Sequence, residues 1–314
     1  MGTDQGRPSG TTLAAFMGAV VIGGANFLAV KFSNEELDPL SGAAMRFIAA
    51  TILIALISLV WRYDWPRGRA ATGAAIYGLL GFGVSYAFLY YAILGLGAGP
   101  TSIIIASVPL ATLILAVAHR QEVITARGII GGGLAVAGIG VLSLRSLDAD
   151  LELSYIGAAI LGVLAIAESG VVIKGFPRAH PMTTNAVGMG VGAIFLVIVS
   201  LVYGQSWALP TEARTWAALA WLVLLGSAGL FYLFLYVISR WTASATSYVT
   251  TLMPVVAVTL GALFADEVIT IEVVIGGALV LIAVYIGVSG SLQQEAEVQP
   301  SDVGPVEALP SEAR

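Results

Sequence analysis

Apolar runs of about twenty residues follow one another along nearly the whole chain, and they restrict its fold more than any other feature. A run of that length crosses a bilayer as a helix, because a helix satisfies its own backbone hydrogen bonds in lipid. Strands of a membrane barrel would instead alternate apolar and polar residues over about ten positions. Hydrophobic residues make up 58% of the chain and charged residues only 11%. The sequence therefore predicts an all-α integral membrane protein.

Ten apolar runs are long enough to be membrane spans, and short connections rich in Pro, Gly or charge separate them. They cover residues 12–32, 40–61, 70–94, 99–118, 125–144, 153–174, 182–203, 214–238, 243–264 and 270–290. We expect residues 1–11 to form a short N-terminal tail in the cytoplasm. The acidic, Pro-containing residues 291–314 are expected to form a disordered C-terminal tail. No polar block long enough to fold by itself remains between the runs.

The chain carries one pattern twice, at an offset of 145 residues. Matched pairs run through the two copies: Gly81 and Gly226, Pro109 and Pro254, Glu122 and Glu267. An earlier, weaker match joins Lys31 to Lys174 at an offset of 143. The repeated unit holds five spans, and an odd number inserts the second copy upside down. The sequence therefore predicts two inverted five-helix repeats, residues 12–146 and 147–290.

Lysine and arginine are distributed unevenly between the two sides of the predicted bundle. If the N-terminus is cytoplasmic, ten of these residues fall on the cytoplasmic side and three outside. Cytoplasmic loops of membrane proteins carry such an excess. We therefore predict a multi-pass protein of the cell membrane with both termini in the cytoplasm. The acidic tail argues against a nucleic-acid partner, and the absence of cysteine excludes disulfides and thiolate metal sites.

Two prolines, Pro109 and Pro254, stand at matching places near the middle of their predicted spans. A proline inside a helix leaves the carbonyl four residues earlier without its N–H donor. Inverted repeats generally hold a substrate where corresponding helices are interrupted, and the hydroxyls of Ser102, Ser247 and Thr250 lie nearby in sequence. Two interpretations stay open: a structural kink repaired by local hydroxyls, or the lining of a substrate cavity.

Tyrosines recur at helical spacing in the third and eighth predicted spans. Tyr86 and Tyr90 are four residues apart, as are Tyr232 and Tyr236, so each pair shares one helix face. Such a stripe is typical of packing between helices. If it faces a pore instead, it favours substrates with apolar or planar parts.

Ionisable side chains inside a span are costly and are therefore candidates for function. Arg46 and Glu168 meet this criterion, with Asn26 as a neutral companion, and Lys31 and Lys174 lie close to span ends. Glu168 has two interpretations, as a site for a substrate amine or coupling proton, or as the partner of a buried cation such as Arg46; we favour the second. The two lysines are expected to extend toward the membrane interface.

Glu122 and Glu267 occupy the matching turns after the fourth and ninth predicted spans. Each stands three residues before a threonine that is able to cap the following helix. We therefore predict that both glutamates fix their own helix-to-helix turns.

The chain resembles the EamA family of the drug/metabolite transporter superfamily over about residues 12–290. The resemblance rests on Gly24-Ala25-Asn26-Phe27 with Lys31, on Ala44-Met45-Arg46-Phe47, and on the duplicated pattern of Pro, Glu and Gly-Gly. Members of that family are ten-helix carriers of small solutes such as amino acids, and many are exporters. The resemblance implies transport by alternating access around a central cavity between the halves.

The favoured functional hypothesis is a secondary transporter, a permease that exports a small organic metabolite or drug-like solute across the cytoplasmic membrane. A receptor or assembly partner that transports nothing is the alternative, although no sizeable soluble domain is predicted. An intramembrane enzyme is not expected, since no nucleophile, metal or nucleotide motif is present. We expect no catalytic residues, metal or cofactor, a small-molecule substrate, the lipid bilayer as partner, and a monomer or homodimer.

Overall fold

The computed structural model describes residues 10–121, 126–143, 150–238 and 243–298, and within these ranges the secondary structure is helical. The helix bounds agree with the predicted apolar runs to within a few residues, except that the last helix continues eight residues beyond the predicted end at 290. The helices are α1 (Gly10–Ser33), α2 (Pro39–Val60), α3 (Arg69–Leu96), α4 (Ala98–Ala118), α5 (Ala126–Ser143), α6 (Asp150–Ile173), α7 (Pro181–Val202), α8 (213–238), α9 (Ala243–Phe264) and α10 (Ile271–Val298).

Six of these helices are long and apolar enough to cross a membrane: α1, α2, α3, α4, α6 and α7. Shorter apolar stretches lie at Ala126–Val141, Val249–Phe264 and Ile271–Ile286. Large apolar side chains such as Leu56, Ile194 and Ile198 are exposed on the outside of the bundle, where lipid would cover them. The prediction of an all-α membrane protein is confirmed, whereas ten spans and inverted repeats stay predictions.

The main core lies where α2 and α7 pack against each other and against α3. Phe47, Phe82, Met189 and Leu196 are almost fully buried there. Glycines allow the close approach, because a Cβ on Gly78 of α3 would overlap the carbonyl of α7 that it faces. This core encloses the candidate site described below.

Two helices contain a π-helical stretch at matching places, Leu79–Val84 in α3 and Leu224–Gly229 in α8. Their positions differ by 145 residues, which is the offset of the sequence repeat. A π-helical turn shifts the backbone hydrogen bonds and is frequent at functional sites. The matched irregularity that we expected at the prolines therefore lies in α3 and α8.

The two prolines differ from each other in the structure. The α-helix of α4 breaks at Ala106–Ser107, and Pro109 lies in the first turn of the segment that follows. Proline is tolerated there, because a backbone N–H at that position would have no intrahelical acceptor. Pro254, by contrast, lies inside α9, which continues through it. The prediction of a matched interruption is therefore wrong for Pro254.

The bundle has two ends, which we name by the helix termini they hold. The upper end is where α1 ends, α2 and α4 begin, and the connection between α7 and α8 lies. Its parts are joined directly, since the backbone N–H groups of Leu40 and Ser41 donate to Oε1 of Gln205 at 2.9 and 3.1 Å. The lower end is where α2, α4 and α6 end; there Thr183 donates to the carbonyl of Asp64 at 2.7 Å.

Candidate functional site

Arg46 of α2 is the charged residue at the centre of the bundle, and it is 2% exposed. Its Nη1 donates to the hydroxyl of Tyr90 and its Nη2 to the carbonyl of Gly226, both at 3.4 Å. The guanidinium carbon lies 5.1 Å from the ring centre of Phe47 and 5.2 Å from that of Tyr86. Nε is buried and has no hydrogen-bond partner. The cation is thus held by rings and two long hydrogen bonds.

The carbonyl of Gly226 lies in the π-helical stretch of α8 and accepts a second hydrogen bond, from Nδ2 of Asn26 in α1 at 3.3 Å. The Oδ1 of Asn26 in turn accepts from Nε1 of Trp221 at 3.2 Å. A Cβ at position 226 would overlap Oδ1 of Asn26, so the glycine is what allows this approach. Asn26 and Arg46, which were both predicted as site residues, therefore meet at one backbone oxygen of the other half.

Tyr86 and Tyr90 of α3 both face Arg46, and the Tyr86 ring packs edge-on against Phe47 at 4.6 Å between ring centres. Tyr232 and Tyr236, the predicted tyrosine stripe of α8, do not occupy corresponding surroundings. Tyr232 is 63% exposed, and Tyr236 packs instead in a cluster with α1 and α9. The offset of 145 pairs Tyr86 with Phe231 and Tyr90 with Leu235, so the tyrosines of α8 lie one residue, roughly 100°, further round the helix.

Glu267, in the turn after α9, reaches across the upper end to the start of α4. Its Oε1 accepts from the N–H of Ala98 at 2.7 Å, its Oε2 from the N–H of Gly99 at 3.0 Å, and Nζ of Lys31 lies 2.9 Å from Oε1. Lys31 also donates to the carbonyl of Ala265 at 3.2 Å. A carboxylate at a helix N-terminus is favourable because the first N–H groups of a helix have no partner.

These contacts overturn two sequence interpretations. Glu267 does not act only within its own turn, because its side chain caps α4 and binds α1. Lys31 does not simply extend toward the interface, because the carboxylate of Glu267 holds its ammonium group. We call Lys31, Glu267 and the N–H groups of Ala98 and Gly99 the upper clamp.

A second group of contacts at the upper end ties the turn after α1 to the start of α8. Glu36 accepts from the backbone N–H of Thr211, from its hydroxyl at 2.6 Å and from the N–H of Glu212 at 3.2 Å. These bonds, those from Thr211 above all, lower the pKa of Glu36 to about 2. Arg214 pairs with Glu35 at 3.3 Å and stacks over the ring of Phe32 at 3.6 Å.

Glu168 lies near the lower end and does not pair with Arg46 as favoured. Its Oε1 is 2.9 Å from Nε2 of His119, which follows α4, and its Oε2 is buried without a hydrogen-bond partner. Glu168 stands five residues before the end of α6, and that position puts it within reach of the histidine. The predicted pairing is therefore wrong.

The remaining predicted site residues are spread through the bundle. Ser102 is buried and donates to the carbonyl of Gly99 at 2.6 Å, within its own helix. Lys174 is exposed just after α6, and Thr250 is partly buried in α9. The side chain of Ser247 and all of Glu122 lie outside the described residues.

Sequence reasoning missed Trp221, the Gly226 carbonyl and Glu36 as parts of these networks. The repeated Gly81 and Gly226 were a usable signal, since both glycines fall within the matched π-helical stretches. Nothing in the spacing indicated that a backbone oxygen of α8 would bind two polar side chains from α1 and α2.

A bundle of long apolar helices is typical of a multi-pass membrane protein, and a charged residue buried where several of them meet is a candidate for function. The model of the EamA-like transporter family matches residues 10–144 and 153–289, and the chain belongs to that family. This membership confirms the resemblance seen in the sequence.

Relatives of similar length are found in distant organisms. An uncharacterized transporter of Archaeoglobus fulgidus is 27% identical over 85% of this chain and 95% of its own. The uncharacterized inner membrane transporter YedA of Escherichia coli is 28% identical over 79% of this chain and 80% of its own. A solved crystal structure, at 14% sequence identity, covers 91% of this chain and 99% of its own with a TM-score of 0.62, which indicates a shared fold. Transport, a non-enzymatic function, is common to the named relatives.

Proposed function

We propose that this protein is a secondary transporter, a permease that exports a small organic metabolite by alternating access between two inverted five-helix halves. Both termini lie in the cytoplasm in this proposal, so the upper end faces outward. The observation that carries it is the upper clamp, which joins α1 and α4 of the first half to the turn between α9 and α10 of the second.

The upper clamp supports a conformation that is closed to the outside. Small residues bring the backbones together beneath it, because a Cβ on Gly99 would lie 3.1 Å from Cγ2 of Val258 and 3.3 Å from Oε2 of Glu267. One carboxylate satisfies three donors from two helices, so separating the halves breaks all three contacts together. A contact of this kind gives two discrete states, which alternating access requires.

The clamp is also weak enough to open. Lys31 and Glu267 keep side-chain exposures of 27% and 15%, so water can replace part of what each group loses. Hydrogen bonds to a charged group contribute about 1.5–3 kcal/mol each. A closing free energy of a few kcal/mol follows, which leaves the open state measurably populated.

Reconstituted protein tests the proposal. The chain has no cysteine, so Gly99→Cys with Val258→Cys provides its sole thiols, and a Cβ at position 99 would lie 3.5 Å from Cα of Val258, close enough for a disulfide. We expect exchange of an unmodified solute in proteoliposomes to stop on oxidation and return on reduction. The control is Gly99→Cys alone, which should respond to neither treatment.

A broad metabolite panel identifies the exchanged solute in the same vesicles. Exchange that persists in the oxidised double variant would contradict closure at the upper clamp. Absence of exchange for every member of the panel would contradict transport itself and favour the receptor alternative.

A further inference from the structure

The Arg46 guanidinium lacks the counter-ion that a buried cation requires. No carboxylate lies within ion-pair distance of it in the part of the chain that the structure describes. Its two hydrogen bonds, at 3.4 Å, are longer than the 2.7–2.9 Å of charge-assisted bonds. Its Nε has no acceptor at all. Among the described residues, its charge is balanced by ring faces and neutral oxygens alone.

Removing a cation from water is costly, and ring faces return only part of that cost. A cation over an aromatic ring gains about 0.5–2 kcal/mol, whereas the desolvation of a buried ion costs several kcal/mol. The centre of the bundle is therefore electropositive, and the buried cation would stabilise an anion bound beside it. A donor set with a free Nε and loosely held Nη groups fits a planar carboxylate, which binds a guanidinium through two parallel hydrogen bonds.

The surroundings restrict the rest of the ligand. Phe47 and Tyr86 flank the cation at 5.1 and 5.2 Å, and the indole of Trp221 is linked to the same cluster through Asn26. Rings on several sides suit an apolar or planar body. A phosphate, with up to two charges, would call for a second cation, and the described contacts of Arg46 include none.

We infer that Arg46 binds the carboxylate of the transported solute, with the Tyr90 hydroxyl beside it and the aromatic rings against the solute's apolar part. This assignment rests on the proposed function and gives it a substrate class, a monocarboxylate with an apolar or aromatic body. Arg46 is thus a binding residue, and Tyr90 positions it.

Matched pairs of small probes test the assignment on purified full-length protein. Benzoate is compared with benzamide, and phenylacetate with phenylacetamide, by titrating the shift in melting temperature in detergent. Each pair differs in charge and scarcely in shape. We expect at least one carboxylate to bind at least tenfold more tightly than its amide, because only the carboxylate neutralises Arg46. Equal binding within both pairs, or no binding by either carboxylate, overturns the assignment, as does tight binding of phenyl phosphate alone.

Variants locate the effect at Arg46. Arg46→Gln should remove the discrimination between carboxylate and amide. Tyr90→Phe, which deletes one hydroxyl, should weaken carboxylate binding a few fold, and the exposed Tyr232→Phe serves as the matched control that leaves it unchanged. The wild-type comparison decides the question even if Arg46→Gln does not fold. Discrimination that survives in a folded Arg46→Gln variant overturns the assignment.

Flux separates this inference from the proposed function. Proteoliposomes that exchange amines or neutral solutes but no carboxylate would contradict the carboxylate site and leave transport standing. Carboxylate binding at Arg46 without exchange of any solute would support the carboxylate site and contradict transport.

Discussion

Replacing Glu267 with glutamine is the sharpest perturbation that the structure offers. Glutamine keeps the shape of the side chain but has one acceptor oxygen in place of two, and its amide would face an N–H group of α4. The carboxylate now accepts from Ala98 at 2.7 Å, Gly99 at 3.0 Å and Lys31 at 2.9 Å. Glu267→Gln should therefore weaken the upper clamp and raise the population of the open state.

The magnitude follows from these contacts. Loss of one charge-assisted hydrogen bond costs about 1.5–3 kcal/mol, and conversion of a second to a neutral bond costs about 1 kcal/mol more. The lost ion pair adds at most about 1 kcal/mol, because Lys31 is partly exposed and water can solvate its ammonium group instead. A total of about 3 kcal/mol corresponds to roughly a hundredfold increase in the open population.

Thiol labelling measures that population. Ser102 is 1% exposed and lies one turn beyond Gly99 in α4, so Ser102→Cys reacts with a polar reagent only when the upper end opens. Adding Glu267→Gln should accelerate labelling roughly a hundredfold. The matched control is Glu35→Gln, which breaks the exposed pair with Arg214 and should change the rate by less than about fivefold. Equal rates for the two variants would refute the role of the clamp.

Two further outcomes are expected. Gly226→Ala should lower the free energy of unfolding by about 1–3 kcal/mol in thermal melts, because the added methyl overlaps Asn26. The control is Gly132→Ala, since Gly132 has open space around it among the described residues. The pKa of Glu36 is lowered to about 2 from 4.5, so its stabilising effect is present above pH 4.5 and disappears as the pH falls toward 2. The difference in melting temperature between wild type and Glu36→Gln should vanish over that interval, and a difference independent of pH would contradict the assignment.

Helix positions were predictable because a bilayer imposes length and apolarity on each spanning segment. The predicted run 70–94 became Arg69–Leu96, and 182–203 became Pro181–Val202. Charge partners were not predictable, because they depend on where antiparallel helices end. Glu168 was expected to meet Arg46, at the centre of the bundle, but it lies near the lower end, beside His119.

Side-chain direction was the second source of error. Tyr232 and Tyr236 have the same spacing as Tyr86 and Tyr90, but spacing alone does not fix the rotation of a helix about its axis. At the offset of 145, the residues equivalent to Tyr86 and Tyr90 stand one position before Tyr232 and Tyr236. One residue rotates a side chain by roughly 100° about the helix axis. The offset of the repeat, rather than the spacing within each pair, is therefore consistent with the exposure of Tyr232.

Among the described residues, a buried arginine is found in the first half only, at Arg46. In α7, Gly188 lies against α3. A Cβ on Gly188 would lie 3.2 Å from the ring of Tyr77 and 3.3 Å from Cα of Gly78, so a longer side chain would force α3 and α7 apart. We expect Gly188→Ala to lower the free energy of unfolding by about 1–3 kcal/mol.

Thermal melts of two neighbouring variants test this explanation. Gly190→Ala is the control, because its added methyl makes an ordinary contact of 3.4 Å with Thr51 and should be nearly neutral. A folded Gly188→Arg variant with unchanged stability would contradict the packing argument. In the wild type, α3 and α7 pack closely at Gly188, and a solute bound at Arg46 is oriented with its carboxylate toward α2.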